Sequence, residues 1–171
     1  MHQYPELARK AIETYIRSGK TIKPSTDTAA ELINRAAACF VSLHTEGDQL
    51  RGCIGTILPT QPSLAQEIIA NAIQAATGDP RFAPLTEPEL ADLEISVDVL
   101  TEPEQISGNQ DLDPKKYGVI VRAGSRSGLL LPDLDGVDTA DQQVAIASQK
   151  GGIDLQRDKV DLFRFCVERY K

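Results

Sequence analysis

Apolar positions recur along the chain with two periods, and the switches between them mark the elements. Over residues 5–18, Leu7, Ala8, Ala11, Ile12, Tyr15 and Ile16 return every third or fourth position. That spacing predicts a helix, and Gly19 stands where a left-handed C-terminal cap belongs. A polar loop with Pro24 covers 20–27, and a short helix is expected within 28–35. From Cys39 to Thr45 the period becomes two, with Val41 and Leu43 on one face and Ser42 and His44 on the other. A second strand-like run covers 50–57. The turn Glu46-Gly47-Asp48-Gln49 between them makes the pair a hairpin.

The strongest helical stripe follows. Leu64, Ile68, Ile69, Ala72, Ile73 and Ala76 share a face, Ser63 with Gln66 has the form of a capping box, and Gly78-Asp79-Pro80 ends the helix. Thr86 with Glu89 opens a short helix to about Ala91. Over 93–100 the alternation predicts a strand with Leu93, Ile95, Val97 and Val99 inward and Glu94, Ser96 and Asp98 outward. Residues 101–116 form a polar loop. A second hairpin, 117–123 with 128–131, turns through 124–127. Thr139 with Gln142 then caps a helix to Lys150, and 160–168 is a last strand. The order hairpin, proline, loop, capped helix thus occurs at 39–77 and again at 117–150. This suggests a duplicated unit, although punctuation of this kind also recurs by coincidence. Hairpins in place of crossovers predict an α+β fold, with a largely antiparallel sheet and flanking helices.

Composition narrows the function. The chain has 171 residues, 41% of them apolar, enough for a core without disulfide staples. No apolar run approaches the roughly 20 residues that cross a bilayer. The first twenty residues carry charges throughout and lack a signal peptide's apolar stretch, so a cytoplasmic location is expected. A net charge of −7 with no tryptophan disfavours nucleic acid as a partner. Three cysteines without such a leader point to reduced thiols. Cys39 and Cys166 are expected in core or strand positions, and no spacing resembles a zinc site.

Candidate chemistry concentrates in Leu50-Arg51-Gly52-Cys53-Ile54-Gly55. Two glycines inside a strand call for the close approach of a ligand or of another backbone. Keeping the apolar residues of the hairpin together pairs Val41 with Ile54, Leu43 with Gly52, Ser42 with Cys53 and His44 with Arg51. His44 then lies diagonal to Cys53. Cationic neighbours favour the thiolate, the nucleophilic form, so Cys53 reads as an activated cysteine or as a small buried apolar residue. In the second dense segment, 78–85, Arg81 is placed either to bind a carboxylate or phosphate or to pair with Asp79 and fix the loop.

These segments resemble the AMMECR family: LRGCIGTI at 50–57, DPRFAPL at 79–85, LEISVDVL at 93–100, YGVIVRAGSRSGLLLP at 117–132 and QKGGI at the end of the late helix. The likeness covers nearly the whole chain, taken as one domain of residues 1–171. It looks most like the bacterial and archaeal branch called AmmeMemoRadiSam system protein A, which is encoded with or fused to a Memo-like protein and a radical-SAM protein. Gly151 departs from the alanine usual there. The resemblance implies an α+β fold with a larger and a smaller subdomain, and those two proteins as partners. The family's motif residues fall on Arg51, Gly52, Cys53, Gly55, Asp79, Arg81, Phe82, Leu131 and Pro132. No cofactor of its own is expected, and any S-adenosylmethionine chemistry would belong to the partner.

Together these readings give the expectation of a small-molecule site in a central cleft between the hairpin units. Cys53 is its nucleophile or attachment point and His44 its acid or base. Arg51, Gly52, Gly55, Asp79 and Arg81 bind substrate. The alternative is a non-catalytic scaffold for the two partners, with Cys53 structural.

Overall fold

The computed structural model describes residues 2–171. In chain order the elements are α1 (Gln3–Ser18), α2 (Ala30–Asn34), β1 (Cys39–Thr45), β2 (Gln49–Gly55), α3 (Leu64–Thr77), β3 (Glu94–Leu100), β4 (Glu104–Ile106), β5 (Gly118–Ala123), β6 (Arg126–Leu130), α4 (Ala140–Lys150), β7 (Asp161–Phe165) and β8 (Val167–Tyr170). Short 3-10 helices occupy Glu87–Asp92 and Asn109–Asp111. The fold is α+β, with two antiparallel four-stranded sheets and flanking helices. The chain divides into two compact units, a larger one up to Val99 with Glu168–Lys171, and a smaller one of Leu100–Val167.

In the larger unit the strand order is β2-β1-β3-β8. Helix α1 ends as its spacing predicts: Gly19 adopts φ 69° and donates its N–H to the Tyr15 carbonyl. Helix α3 packs against α1 on one side and against β1 and β2 on the other. That double contact explains why ten of its residues are buried, more than one stripe requires. Ser63 Oγ accepts the Gln66 N–H at 3.3 Å, but the Gln66 side chain takes the Ser63 hydroxyl, so only half of the expected box forms. Ile12, Leu32, Val41, Leu43, Leu64, Ile68, Val97 and Val99 are sealed in this core.

The smaller unit has the order β4-β7-β5-β6, with α4 laid on β5 and β6. Val119, Val121, Leu130, Val144 and Ala147 form its core. The full capping box at Thr139 and Gln142 starts α4 as expected. Each unit thus carries the hairpin-then-helix order, and each puts the hairpin's second strand at the sheet edge. In each, a glycine of that strand lies under a helix carbonyl. A Cβ on Gly52 would stand 2.3 Å from the Ala75 oxygen, and one on Gly128 would stand 1.7 Å from the Ala147 oxygen.

Three expectations are corrected. Residues 101–116 contain β4 and a 3-10 turn besides loop. The apolar run 160–168 is two strands in different sheets. It breaks at Cys166, whose N–H goes to Thr101 Oγ at 2.8 Å and whose carbonyl takes the Thr101 N–H at 2.9 Å. Ser96 and Asp98, expected outward, are 8% and 2% exposed. Asp98 is tolerated there because the Arg169 fork grips both its oxygens at 2.7 Å.

Alanine at Gly52 or Gly128 must push a helix backbone off a strand. Each substitution is expected to cost about 1–3 kcal/mol, the usual penalty of overpacking. Urea unfolding of the two variants measures it.

Candidate functional site

The candidate residues of the larger unit gather on the open edge of β2. The hairpin register is as expected over its inner half, pairing Val41 with Ile54, Ser42 with Cys53 and Leu43 with Gly52. It then shifts, and His44 pairs with Leu50 rather than with Arg51. Arg51 is therefore the extra residue of a β-bulge, which re-aims its side chain. The guanidinium reaches Glu89, with Nε at 2.8 Å from Oε1 and Nη2 at 3.3 Å from Oε2. Glu89 also takes the N–H and hydroxyl of Thr86, each at 2.8 Å. Arg51 first, and then these Thr86 donors, hold the Glu89 carboxyl down at about 2, against the opposing effect of burial.

The bulge also removes the expected approach of His44 to Arg51. His44 Nε2 lies 4.0 Å from Asp48 Oδ1. The donor to the Cys53 sulfur is Ser42, whose Oγ is 3.2 Å away. The predicted Ser42–Cys53 register thus brings a hydroxyl, not an imidazole, onto the thiol.

An edge strand leaves peptide groups without a ladder partner. At Cys53 the loop after α3 supplies one. Asp79, 4% exposed, accepts the Cys53 N–H at 2.9 Å on Oδ2. Arg81 donates to the same carboxylate from Nη2 at 2.8 Å on Oδ2, and from Nε and its backbone N–H at 3.0 Å on Oδ1. Its Nη2 also lies 3.4 Å from the Cys53 carbonyl oxygen. Of the two uses expected of Arg81, the structure shows the pairing with Asp79 that fixes the loop. The Arg81 bonds above all, and the Cys53 N–H next among the favourable contacts, hold the Asp79 carboxyl far below the usual carboxylate range despite its burial. The Phe82 ring centre lies 5.5 Å from the Arg81 guanidinium carbon and 5.9 Å from that of Arg51.

The two motif glycines serve close packing by the protein itself. Gly52 lies under Ala75, and a Cβ on Gly55 would meet the Phe40 ring at 2.2 Å. Cys53 and Cys166 are half-buried, whereas Cys39 is sealed, and its thiol is pushed up to about 12 by burial. Leu131 and Pro132 belong to the smaller unit, at the end of β6.

One buried anion escaped the sequence pattern. Glu67, 1% exposed on α3, accepts from the hydroxyls of Thr56 and Thr60 at 2.6 and 2.9 Å, and from the N–H groups of Thr60 and Gln61 at 2.9 and 2.7 Å. These four donors fasten the segment after β2 to α3. Two hollows of about 210 and 180 Å³ also lie in the larger unit. One is lined by Thr21, Lys23, Gln66 and Ile69, the other by Glu6, Lys10, Asp27 and Leu32, and Cys53 lines neither. Among the described residues, no three His, Cys, Asp or Glu side chains converge as metal ligands do, and no helix is long and apolar enough to cross a membrane.

Two outcomes follow from the carboxylates. Replacing Asp79 by Ala strands the Cys53 N–H at a cost of about 1–3 kcal/mol, and the Cys53 amide should lose its protection in hydrogen exchange. The Glu89 contribution is full above its ordinary value of 4.5 and fades as pH falls toward about 2, because its folded value is the lower one. The protection factors of the Thr86 and Glu89 amides, taken against the intrinsic exchange rate at each pH, should therefore hold at pH 5 and drop between pH 4 and 2.

The AMMECR1 family model matches residues 5–170. A Thermotoga maritima protein is 53% identical over 170 residues, an alignment covering 99% of this chain and 98% of that protein. A Clostridium acetobutylicum protein is 46% identical over 98% of this chain, which spans 36% of that longer protein. The crystal structure of an uncharacterized protein from Pyrococcus horikoshii matches with a TM-score of 0.86 at 35% identity, over 97% of this chain and 88% of that one. On the sequence match over nearly its whole length, this chain belongs to the AMMECR1 family.

Proposed function

We propose that the edge of β2 is a small-molecule site centred on the Cys53 thiol, with cysteine-dependent chemistry. The observation that carries this is the thiol's setting. It is half-buried, it takes a hydroxyl hydrogen bond from Ser42 at 3.2 Å, and its own peptide group is fixed by Asp79 and Arg81. A nucleophile needs access, a donor that steadies its charge, and a rigid mount. Cys53 has all three, whereas buried Cys39 lacks access. Arg81, more than half exposed, brings a guanidinium to the Cys53 carbonyl, and Gly52 and Gly55 let α3 and Phe40 close up behind the strand. In this reading Ser42 stands nearer the chemistry than His44. By its likeness to the AmmeMemoRadiSam branch, the protein acts in the cytoplasm beside a Memo-like and a radical-SAM protein.

A second reading rests on a different observation. All four Asp79 contacts are internal, and protein atoms fill the space beside both glycines, so the motif suffices to build a rigid docking surface for those partners. Iodoacetamide labelling at pH 7, read peptide by peptide, separates the two. The first reading expects Cys53 to react at least about tenfold faster than Cys39. A Cys53 as inert as Cys39 in the folded protein leaves only the docking surface. Cys53→Ser should keep its melting temperature under the first reading, since serine retains a partner for Ser42.

A further inference from the structure

We propose that this site selects anionic electrophiles: small molecules with a carboxylate beside the carbon that the Cys53 sulfur attacks. The inference rests on the cysteine reading above and adds the class of substrate. Its basis is the orientation of the Asp79–Arg81 pair. The Asp79 side chain is 2% exposed and the Arg81 side chain 56%. The pair is therefore a dipole with its negative end inside and its positive end toward solvent. The inner end is anchored twice over, by the Cys53 N–H and by the Arg81 fork. Of the Arg81 side-chain nitrogens, Nε and Nη2 are engaged, and among the described residues none bonds Nη1. Arg51 uses the same two nitrogens on Glu89 but is the more buried member of its pair, so Arg81 is the cation turned outward. The Phe82 ring beside both guanidiniums restricts their swing.

The guanidinium is also held against Cys53, with Nη2 3.4 Å from that residue's carbonyl oxygen. A ligand whose carboxylate meets the guanidinium is thereby held beside the residue that carries the sulfur. That favours a compact molecule over a long one.

The test compares iodoacetate with iodoacetamide, which differ in charge and share one reaction. The thiolate sulfur forms a bond to the methylene carbon, the carbon–iodine bond breaks, iodide departs, and the thiol proton goes to solvent. Rates at Cys53 are measured at pH 7 by peptide mass spectrometry, with free N-acetylcysteine amide as reference. The iodoacetate-to-iodoacetamide ratio at Cys53 should exceed the reference by roughly fivefold, the factor from one charge contact in water. Because this gain is electrostatic, it should shrink toward the reference in 1 M salt, where the screening length is about 3 Å. Arg81→Gln should abolish it. If that variant unfolds, the salt series on the wild-type protein decides. A Cys53 that reacts with both reagents at the reference ratio overturns the anion preference and leaves the cysteine reading standing. A Cys53 inert to both removes the two together.

Discussion

The carboxylate of Asp79 is where helix α3, strand β2 and the loop between α3 and β3 are tied together. It leaves α3 immediately after the C-cap Gly78, turns inward, and satisfies an edge-strand N–H that no neighbouring strand reaches. Arg81 then completes the imitation of a strand by approaching the Cys53 carbonyl. A buried anion is tolerable only when donors surround it, and here four do. Those same donors draw Arg81 and Phe82 to the sheet edge. The loop returns to the helix when Leu85 donates its N–H to the Ala76 carbonyl. The positions of Arg81 and Phe82 beside Cys53 thus descend from one side chain.

Glu67 applies the same solution at the other end of α3. Its donors among the described residues are hydroxyls and backbone N–H groups from 56–61. Asn71, one turn on, donates to the Thr56 hydroxyl at 3.3 Å and to the Cys39 carbonyl at 2.9 Å, extending the network to β1. The helix is therefore fixed to its hairpin by polar anchors at both ends and by the Gly52–Ala75 approach between them. The approach of Gly128 to Ala147 places a glycine in the same role in the smaller unit.

Much of this was legible in the residues, and the failures have physical causes. The apolar alternation of β1 specified the register through Ser42 and Cys53, because a slip would expose Val41 and Leu43. It carried no information past Gly52, where an inserted residue costs the core nothing, so the bulge at Arg51 went unseen. Glu89 was recognised as a cap for Thr86, but its second partner lies 38 positions away, beyond any local pattern. The split at Cys166 was hidden because no glycine, proline or other turn residue marks it. Their division depends on Thr101, across the chain. Asp98 looked solvent-facing because its compensating arginine is 71 residues later.

The last strand of the larger sheet, β8, comes from residues that follow the entire smaller unit, while the N–H of His2 meets the Lys171 carbonyl at 3.2 Å. Residues 100–167 are thus spliced into a host in which His2 and Lys171 are neighbours. During ribosomal synthesis β3 must wait for its outer neighbour until the insert has emerged.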